Sequence, residues 1–136
     1  MRNAVFVDTS YVLALEIADD FHHSAAQAHW KSVVHNLPPL ITTSYVLDEI
    51  ATFFNSRGLH YKAVQVVNNF LNSSSVEIVH VSEEQFHNGW TLFQKHDDKR
   101  YSLTDCISFV VMQQREIFTA FTFDKHFAQA GFVALP

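Results

Sequence analysis

Several residue types are scarce in this chain, and each scarcity narrows what it can be. One cysteine, Cys106, in 136 residues excludes an internal disulfide and suits a reducing compartment such as the cytoplasm. With three glycines and three prolines there is no glycine-rich phosphate loop and no proline-rich linker. Charged residues are only 17%, too few for solvated disorder. No apolar run approaches the roughly 18 residues of a membrane span. The first apolar run is cut at Asp8 with no small-residue cleavage pattern after it, so neither a signal peptide nor a membrane anchor is expected. Nine Lys and Arg against fourteen Asp and Glu give a net charge of −5. That excludes a broadly basic nucleic-acid surface, but not a local site where bound cations supply the positive charge.

What is abundant is core material. Apolar residues make up 48% of the chain and thirteen are Phe, enough for one large core and a single domain over 1–136. Short β-branched runs alternate with helical stretches. The strands expected are Ala4–Val7, Leu40–Thr43, Val76–Val81, Ile117–Phe123 and an edge strand Phe132–Leu135. Between them, helices are expected over Tyr11–Ala18, Ser24–Val34, Tyr45–Ser56, Tyr61–Leu71, Ser82–Phe93, Ser102–Arg115 and Lys125–Ala130. Ser44 is the expected cap of the third helix, Gly58 its terminator, and Ser82 with Gln85 a capping box. In the second helix Ala25, Ala28 and Val33 or Val34 are expected to face the core. Strand–helix alternation predicts an α/β domain, a central mainly parallel sheet with helices over it.

Four acids stand in places where acids are unusual. Asp8 and Asp124 each end an apolar strand, Val5-Phe6-Val7 and Ala120-Phe121-Thr122-Phe123. Two buried parallel strands ending in Asp bring two carboxylates to one rim, where open α/β sheets bind ligands. On the third helix Val46, Ile50 and Phe53 share a face, and Glu49 flanks it; Asp48 points the opposite way, into solvent. Asp105 opens a helix that is apolar nearly all round, Leu103 to Met112, and is therefore an interior helix. Three of these acids also have a plainer reading. Asp8 can be an N-cap, Glu49 can lean out to water, and Ser102-Leu103-Thr104-Asp105 can be a capping box. If all four converge, like charges raise one another's pKa values, and a hard oxygen-seeking cation such as Mg²⁺ or Mn²⁺ resolves the conflict. Thr9, Ser10, Ser102, Thr104 and Thr122 are the hydroxyls placed to orient those carboxylates.

The stretches Val7-Asp8-Thr9-Ser10, Thr43-Ser44-Tyr45-Val46-Leu47-Asp48-Glu49-Ile50, Tyr101-Ser102-Leu103-Thr104-Asp105-Cys106 and Phe121-Thr122-Phe123-Asp124-Lys125-His126-Phe127 carry a resemblance. Taken in order over essentially the whole chain, the sequence resembles a PIN-domain ribonuclease of the VapC toxin type. The resemblance implies a three-layer α/β/α sandwich and Mg²⁺- or Mn²⁺-dependent hydrolysis of RNA. It also implies Asp8, Glu49, Asp105 and Asp124 as catalytic metal-binding residues, an antitoxin partner and a homodimer. His126 stands where many relatives carry another acid, which leaves open whether one or two metals bind and whether His126 takes part.

Other chemistries have little support. No histidine pairs with Cys106 in sequence, and no Cys/His spacing marks a zinc site. Lys95, Lys99, Arg100 and Lys125 are candidates to meet RNA phosphates at the cleft, or else a solvated loop. Phe53-Phe54 and Val64–Phe70 are candidate interfaces or core. The competing class is a non-catalytic PIN-like module that binds RNA or protein, or a receiver-like domain, for which Lys125 is a poor phosphoryl contact.

Overall fold

A computed structural model describes residues Asn3–Pro136. Five strands, β1 (Val5–Val7), β2 (Leu40–Thr43), β3 (Val76–Val79), β4 (Thr119–Phe121) and β5 (Val133–Leu135), form one sheet in the order β3-β2-β1-β4-β5. Every pairing is parallel, with Val5 opposite both Leu40 and Thr119. Seven helices connect them: α1 (Thr9–Glu16), α2 (His23–Val33), α3 (Ser44–Ser56), α4 (His60–Asn72), α5 (Glu83–Lys95), α6 (Leu103–Gln114) and α7 (Lys125–Gln129). They make the three-layer α/β/α sandwich, α1 packing on α2, α3 on α4 and α5 on α6. Parallel strands need such crossovers, which cover the sheet and explain why β1 and β2 are buried along their whole length.

Strand order reverses at β1: β2 and β3 lie to one side of it, β4 and β5 to the other. The carboxyl ends of β1 and β4 therefore flank the topological switch point, where α/β sheets open a crevice. Asp8 and Asp124 follow those two strands. Beneath them Phe6, Ile50, Phe109, Val111, Met112 and Phe127 are fully buried. Helix α6 is interior, as its all-round apolar pattern requires: every residue from Asp105 to Met112 is buried.

Departures from the sequence reading have local causes. The cap of α3 is Thr43, whose hydroxyl accepts from the Val46 amide; Ser44 Oγ instead accepts from the Val81 amide and pulls that residue out of β3. Strand β4 is shorter than expected at both ends. The Ile117 amide is tied back to Met112 O at the end of α6, and the Phe123 amide turns aside to Ser10 Oγ. In α2 the buried residue is Ala26, with Trp30 and Val33 packed on the core at i+4 and i+7, while Ala25 and Ala28 face water. Phe54 is fully buried and Phe53 partly so. In α4, Ala63 and Val66 are in the core and Val64 is exposed. Gly58 ends α3 at φ +73°, where a side chain would be strained.

A candidate metal centre at the switch point

The cleft begins with Asp8, the N-cap of α1. The capping reading holds, and the side chain that caps the helix also lines the cleft. Only 4% of Asp8 is exposed, so its oxygens must be satisfied locally. Oδ2 accepts from Ser10 Oγ at 2.7 Å, Thr122 Oγ1 at 2.8 Å and the Ser10 amide at 3.3 Å. Each hydroxyl spends its single hydrogen on Asp8 and can then only accept. Ser10 Oγ accepts from the Phe123 amide and Thr122 Oγ1 from the Asp124 amide, both at 2.9 Å. The two hydroxyls thus clamp the chain after β4 to the end of β1, which brings Asp124 beside Asp8.

Asp124 caps α7, its Oδ1 accepting from the His126 amide at 2.9 Å. Asp105 sits in the first turn of α6 inside a complete capping box: Ser102 Oγ accepts from the Asp105 amide and Asp105 Oδ2 accepts from the Ser102 amide. His126 joins the two. Its Nδ1 lies 3.0 Å from Asp124 Oδ1 and 3.2 Å from Asp105 Oδ2, and its ring meets that of buried Tyr101 edge-on. One ligand atom from each of Asp105, Asp124 and His126 falls within 4.8 Å of the others. Glu49 closes the group from α3, half-buried, while Asp48 beside it is exposed, as the helical spacing predicts. A cavity of about 380 Å³ is lined by Asp8, Glu49, Asp105, Asp124 and His126, together with Phe53 and Arg100.

Electrostatics make this cluster unstable by itself. Burial, opposed by the Ser10 and Thr122 hydrogen bonds and reinforced by Asp105 and Asp124, pushes the Asp8 carboxyl up to about 6. Burial is also the main cause that raises Glu49 and Asp105; hydroxyls of Thr9 and Thr104 pull Glu49 back, and the Ser102 amide and His126 pull Asp105 back. Thr9 Oγ1 is buried without completing a hydrogen bond of ordinary geometry. Among the described residues no Lys or Arg lies within ion-pair distance of any of the four acids.

The donor set fits a hard divalent cation. In each of Asp8, Asp105 and Asp124 the protein's hydrogen bonds converge on one carboxylate oxygen, Oδ2, Oδ2 and Oδ1 respectively. The second oxygen of each is left for the cleft. Oriented carboxylates with a free oxygen are the ligands that Mg²⁺ and Mn²⁺ take, and such ions keep positions open for water and phosphate. Cys106 is a different matter: buried, and with burial pushing its thiol up to about 11, it is a core residue and not a nucleophile.

The four acids expected from the sequence line one cleft; of the five hydroxyls expected to orient them, Ser10 and Thr122 donate to Asp8, Ser102 Oγ instead accepts from the Asp105 amide, and Thr9 Oγ1 is buried without a hydrogen bond of ordinary geometry. Sequence reasoning left His126 open and missed Tyr101, which fixes the His126 ring, and Phe53, which lines the cleft. Phe53 follows Glu49 by one helical turn, and that spacing was the available signal. Of the basic residues named at the outset, Arg100 reaches the cleft, whereas Lys99 lies 3.9 Å from Asp98.

Comparison with known proteins bears on family and fold. Residues 5–133 match the PIN domain. The chain is 38% identical over 130 residues, 95% of its own length and 95% of the relative's, to the 23S rRNA-specific endonuclease VapC20 of Mycobacterium tuberculosis. The crystal structure of that VapC20, described as a sarcin-ricin loop cleaving toxin, superposes with a TM-score of 0.85 at 37% identity, covering 95% of this chain and 96% of the other. VapBC2 from Rickettsia felis, solved with a DNA fragment from its promoter, shares the fold at 13% identity, with a TM-score of 0.68 and 96% of each chain covered.

Proposed function

The chain belongs to the PIN-domain family, and from that premise we propose that it is a divalent-metal-dependent endoribonuclease, the toxin of a toxin–antitoxin pair. One observation carries the reading: Asp8, Glu49, Asp105 and Asp124 line a single cleft, and among the described residues no Lys or Arg comes within ion-pair distance of any of them. The proposal takes those four acids as the metal-binding catalytic residues of one domain spanning 1–136. Its Mg²⁺ or Mn²⁺, when bound, supplies a water of lowered pKa and stabilises charge developing on the phosphate.

The chain's own residues prepare that chemistry. Ser10 and Thr122 hold Asp8 in one orientation, and the Ser102 box holds Asp105. Arg100, the cation lining the cleft, is placed to take a phosphate oxygen of the RNA and set the strand across the acids. Tyr101, buried next to it, anchors that loop. The relative's activity on 23S rRNA makes large-subunit ribosomal RNA the substrate class proposed here. A cognate antitoxin, a homodimer and a cytoplasmic location complete the proposal. Among the described residues no helix is long and apolar enough to cross a membrane.

The test is incubation of the purified protein with ribosomes and with free 23S rRNA, in Mg²⁺, Mn²⁺ or EDTA, with cut sites mapped by primer extension. Discrete cuts that require the metal and vanish in Asp8→Asn are expected. Cuts that survive both EDTA and Asp8→Asn would overturn the metal-centred reading. RNA bound but never cut would make the chain a binding module.

A further inference from the structure

Helix α3 carries a line of three residues, Glu49, Phe53 and Arg57, spaced four apart. That spacing puts them on one face, each about 6 Å further along the axis. Glu49 and Phe53 both line the acid cleft. Arg57 is the C-cap of the helix, and its guanidinium carbon lies 3.6 Å from the centroid of the Phe53 ring. Burial falls along the line, Glu49 and Phe53 being half-buried and Arg57 exposed. The face therefore reads acid, ring, cation from the cleft outward.

Arg57 is exposed yet held. Its amide donates to Phe54 O, and its Nη1 donates to Phe53 O at 3.1 Å and to Ser56 Oγ at 3.2 Å. Ser56 Oγ donates in turn to the same Phe53 O at 3.0 Å. A side chain pinned on a ring and two oxygens has already given up much of its rotamer freedom. One edge stays open. A guanidinium has five N–H groups, and among the described residues nothing accepts from Nε or Nη2. Nor does any carboxylate among those residues lie within ion-pair distance of Arg57. Such a two-donor edge matches a pair of phosphate oxygens. Capping the helix end accounts for the bond to Phe53 O, but it leaves both the ring contact and the open edge unused.

We infer that Arg57, seated on Phe53, takes the phosphate of the nucleotide next to the one held over the acids, so that the RNA strand is gripped at two phosphates. The inference rests on the ribonuclease reading. A strand in the cleft carries one phosphate per nucleotide. Only the phosphate over the acids has the metal beside it, and its neighbours need cations from the chain. Arg100 lines the cleft from the loop before α6, and Arg57 supplies a second guanidinium from the end of α3. Charge favours a phosphate here over a base, since the guanidinium already covers one face of the Phe53 ring and its donor edge is what the pair presents. A phosphate contact carries no sequence information, so Arg57 sets the register of the strand on the acids and not the choice of base.

The test is steady-state cleavage of one single-stranded RNA in Mg²⁺ at several KCl concentrations, with melting curves for every variant. Arg57→Gln should raise KM roughly tenfold with kcat within about twofold, the lower range for a hydrogen bond to a charged group. Its slope of log KM against log KCl should be shallower by about 0.7, the share of one phosphate on a single strand. Arg57→Lys keeps the charge and should recover most of the KM with the parent's slope. Phe53→Leu, which unseats the guanidinium and keeps its charge, should raise KM about threefold with the slope intact. Lys31→Ala removes the same charge at a different cavity and should leave KM within about twofold. Unchanged KM and slope in Arg57→Gln would overturn the contact, whatever the melting temperature does, and would leave Arg57 as a helix cap. A raised KM with the parent's slope, or an equal rise in Lys31→Ala, would overturn it as well. If the parent cuts no RNA, the ribonuclease reading fails by itself. Fluorescence anisotropy of the same RNA, labelled, then decides: no binding by the parent, or equal affinity in Arg57→Gln, overturns the phosphate contact too.

Discussion

The switch-point cleft and the seam between α5 and α6 are both buried, yet they are built on opposite terms. In the cleft, burial first and neighbouring carboxylates second raise the pKa values of Asp8, Glu49 and Asp105, and hydrogen bonds from the chain pull them partly back. At the seam, Gly89 lets α5 approach α6 so closely that an added Cβ would stand 2.5 Å from Ile107 Cγ1 and 3.2 Å from its Cα. One region gives up stability to gather charge; the other gains it by bringing backbones together. Mutations should therefore act with opposite signs in the two places, and that contrast can be tested.

The largest effect belongs to the cleft. Asp8→Asn or Glu49→Gln should lower cleavage by more than the roughly 10–100-fold that loss of an outer-shell partner costs a metal site. Ser10→Ala and Thr122→Ala should fall within that 10–100-fold range, as each removes a hydrogen bond to Asp8 Oδ2. Asp48→Asn should stay within about twofold, because Asp48 faces water one residue from Glu49. Initial rates on one RNA rank all five. Equal losses at Asp48 and Glu49 would break the assignment of faces on α3.

Next in size is the stability the cleft gives up. The Asp8 carboxyl is held at about 6, against an ordinary value of 3.8. Between those values the folded protein binds a proton that the unfolded chain does not, so stability falls as pH rises through the window. The penalty is complete above about pH 6 and absent below about pH 4. Asp8→Asn should remove it, since Asn caps a helix about as well as Asp. In EDTA at pH 7 the variant should be more stable by about 2–3 kcal/mol, and the gap should close as pH drops toward 4. Mg²⁺ should narrow it as well, by stabilising the parent more than the variant. Chemical denaturation at several pH values, with EDTA and with Mg²⁺, gives the comparison. A pH-independent gap, or none, would leave Asp8 as a helix cap alone.

How far each region was legible follows from the same contrast. The strands, the interior helix α6 and the four acids could be read because each breaks a pattern: an acid ending an apolar run, an acid on an apolar face. The hydroxyls of Ser10 and Thr122 could be read for the same reason. His126 could not, since a histidine at a helix start is ordinary until the fold brings Asp105 of α6 within 3.2 Å of its ring. The cap of α3 was misplaced by one residue because Thr43 and Ser44 are both competent, and only the reach of the Val81 amide to Ser44 separates them. Gly89 gave no sign at all. A glycine inside a helix reads as a weakness of propensity, and the partner that makes it necessary lies eighteen residues on, in another helix.

Gly89→Ala is the smallest and most discriminating prediction. Alanine favours a helix over glycine by about 1 kcal/mol, so on propensity alone the variant would be more stable. Packing opposes this, because the new methyl meets Ile107 at its Cα, amide and Cγ1, which are not the flexible end of a side chain. Overpacking of this kind costs about 1–3 kcal/mol, so after the propensity gain the net expectation is destabilisation of up to about 2 kcal/mol. Which helix yields decides whether the seam is independent of the cleft. Helix α6 is buried from Asp105 to Met112, whereas in α5 only Gly89 is buried. The surface helix α5 should therefore move, leaving Asp105, two residues from Ile107, in place. A lowered melting temperature with unchanged kcat per folded molecule is the expected result. A fall in kcat alongside the melting temperature would mean that α6 had moved and carried Asp105 with it, and that the two regions are mechanically one.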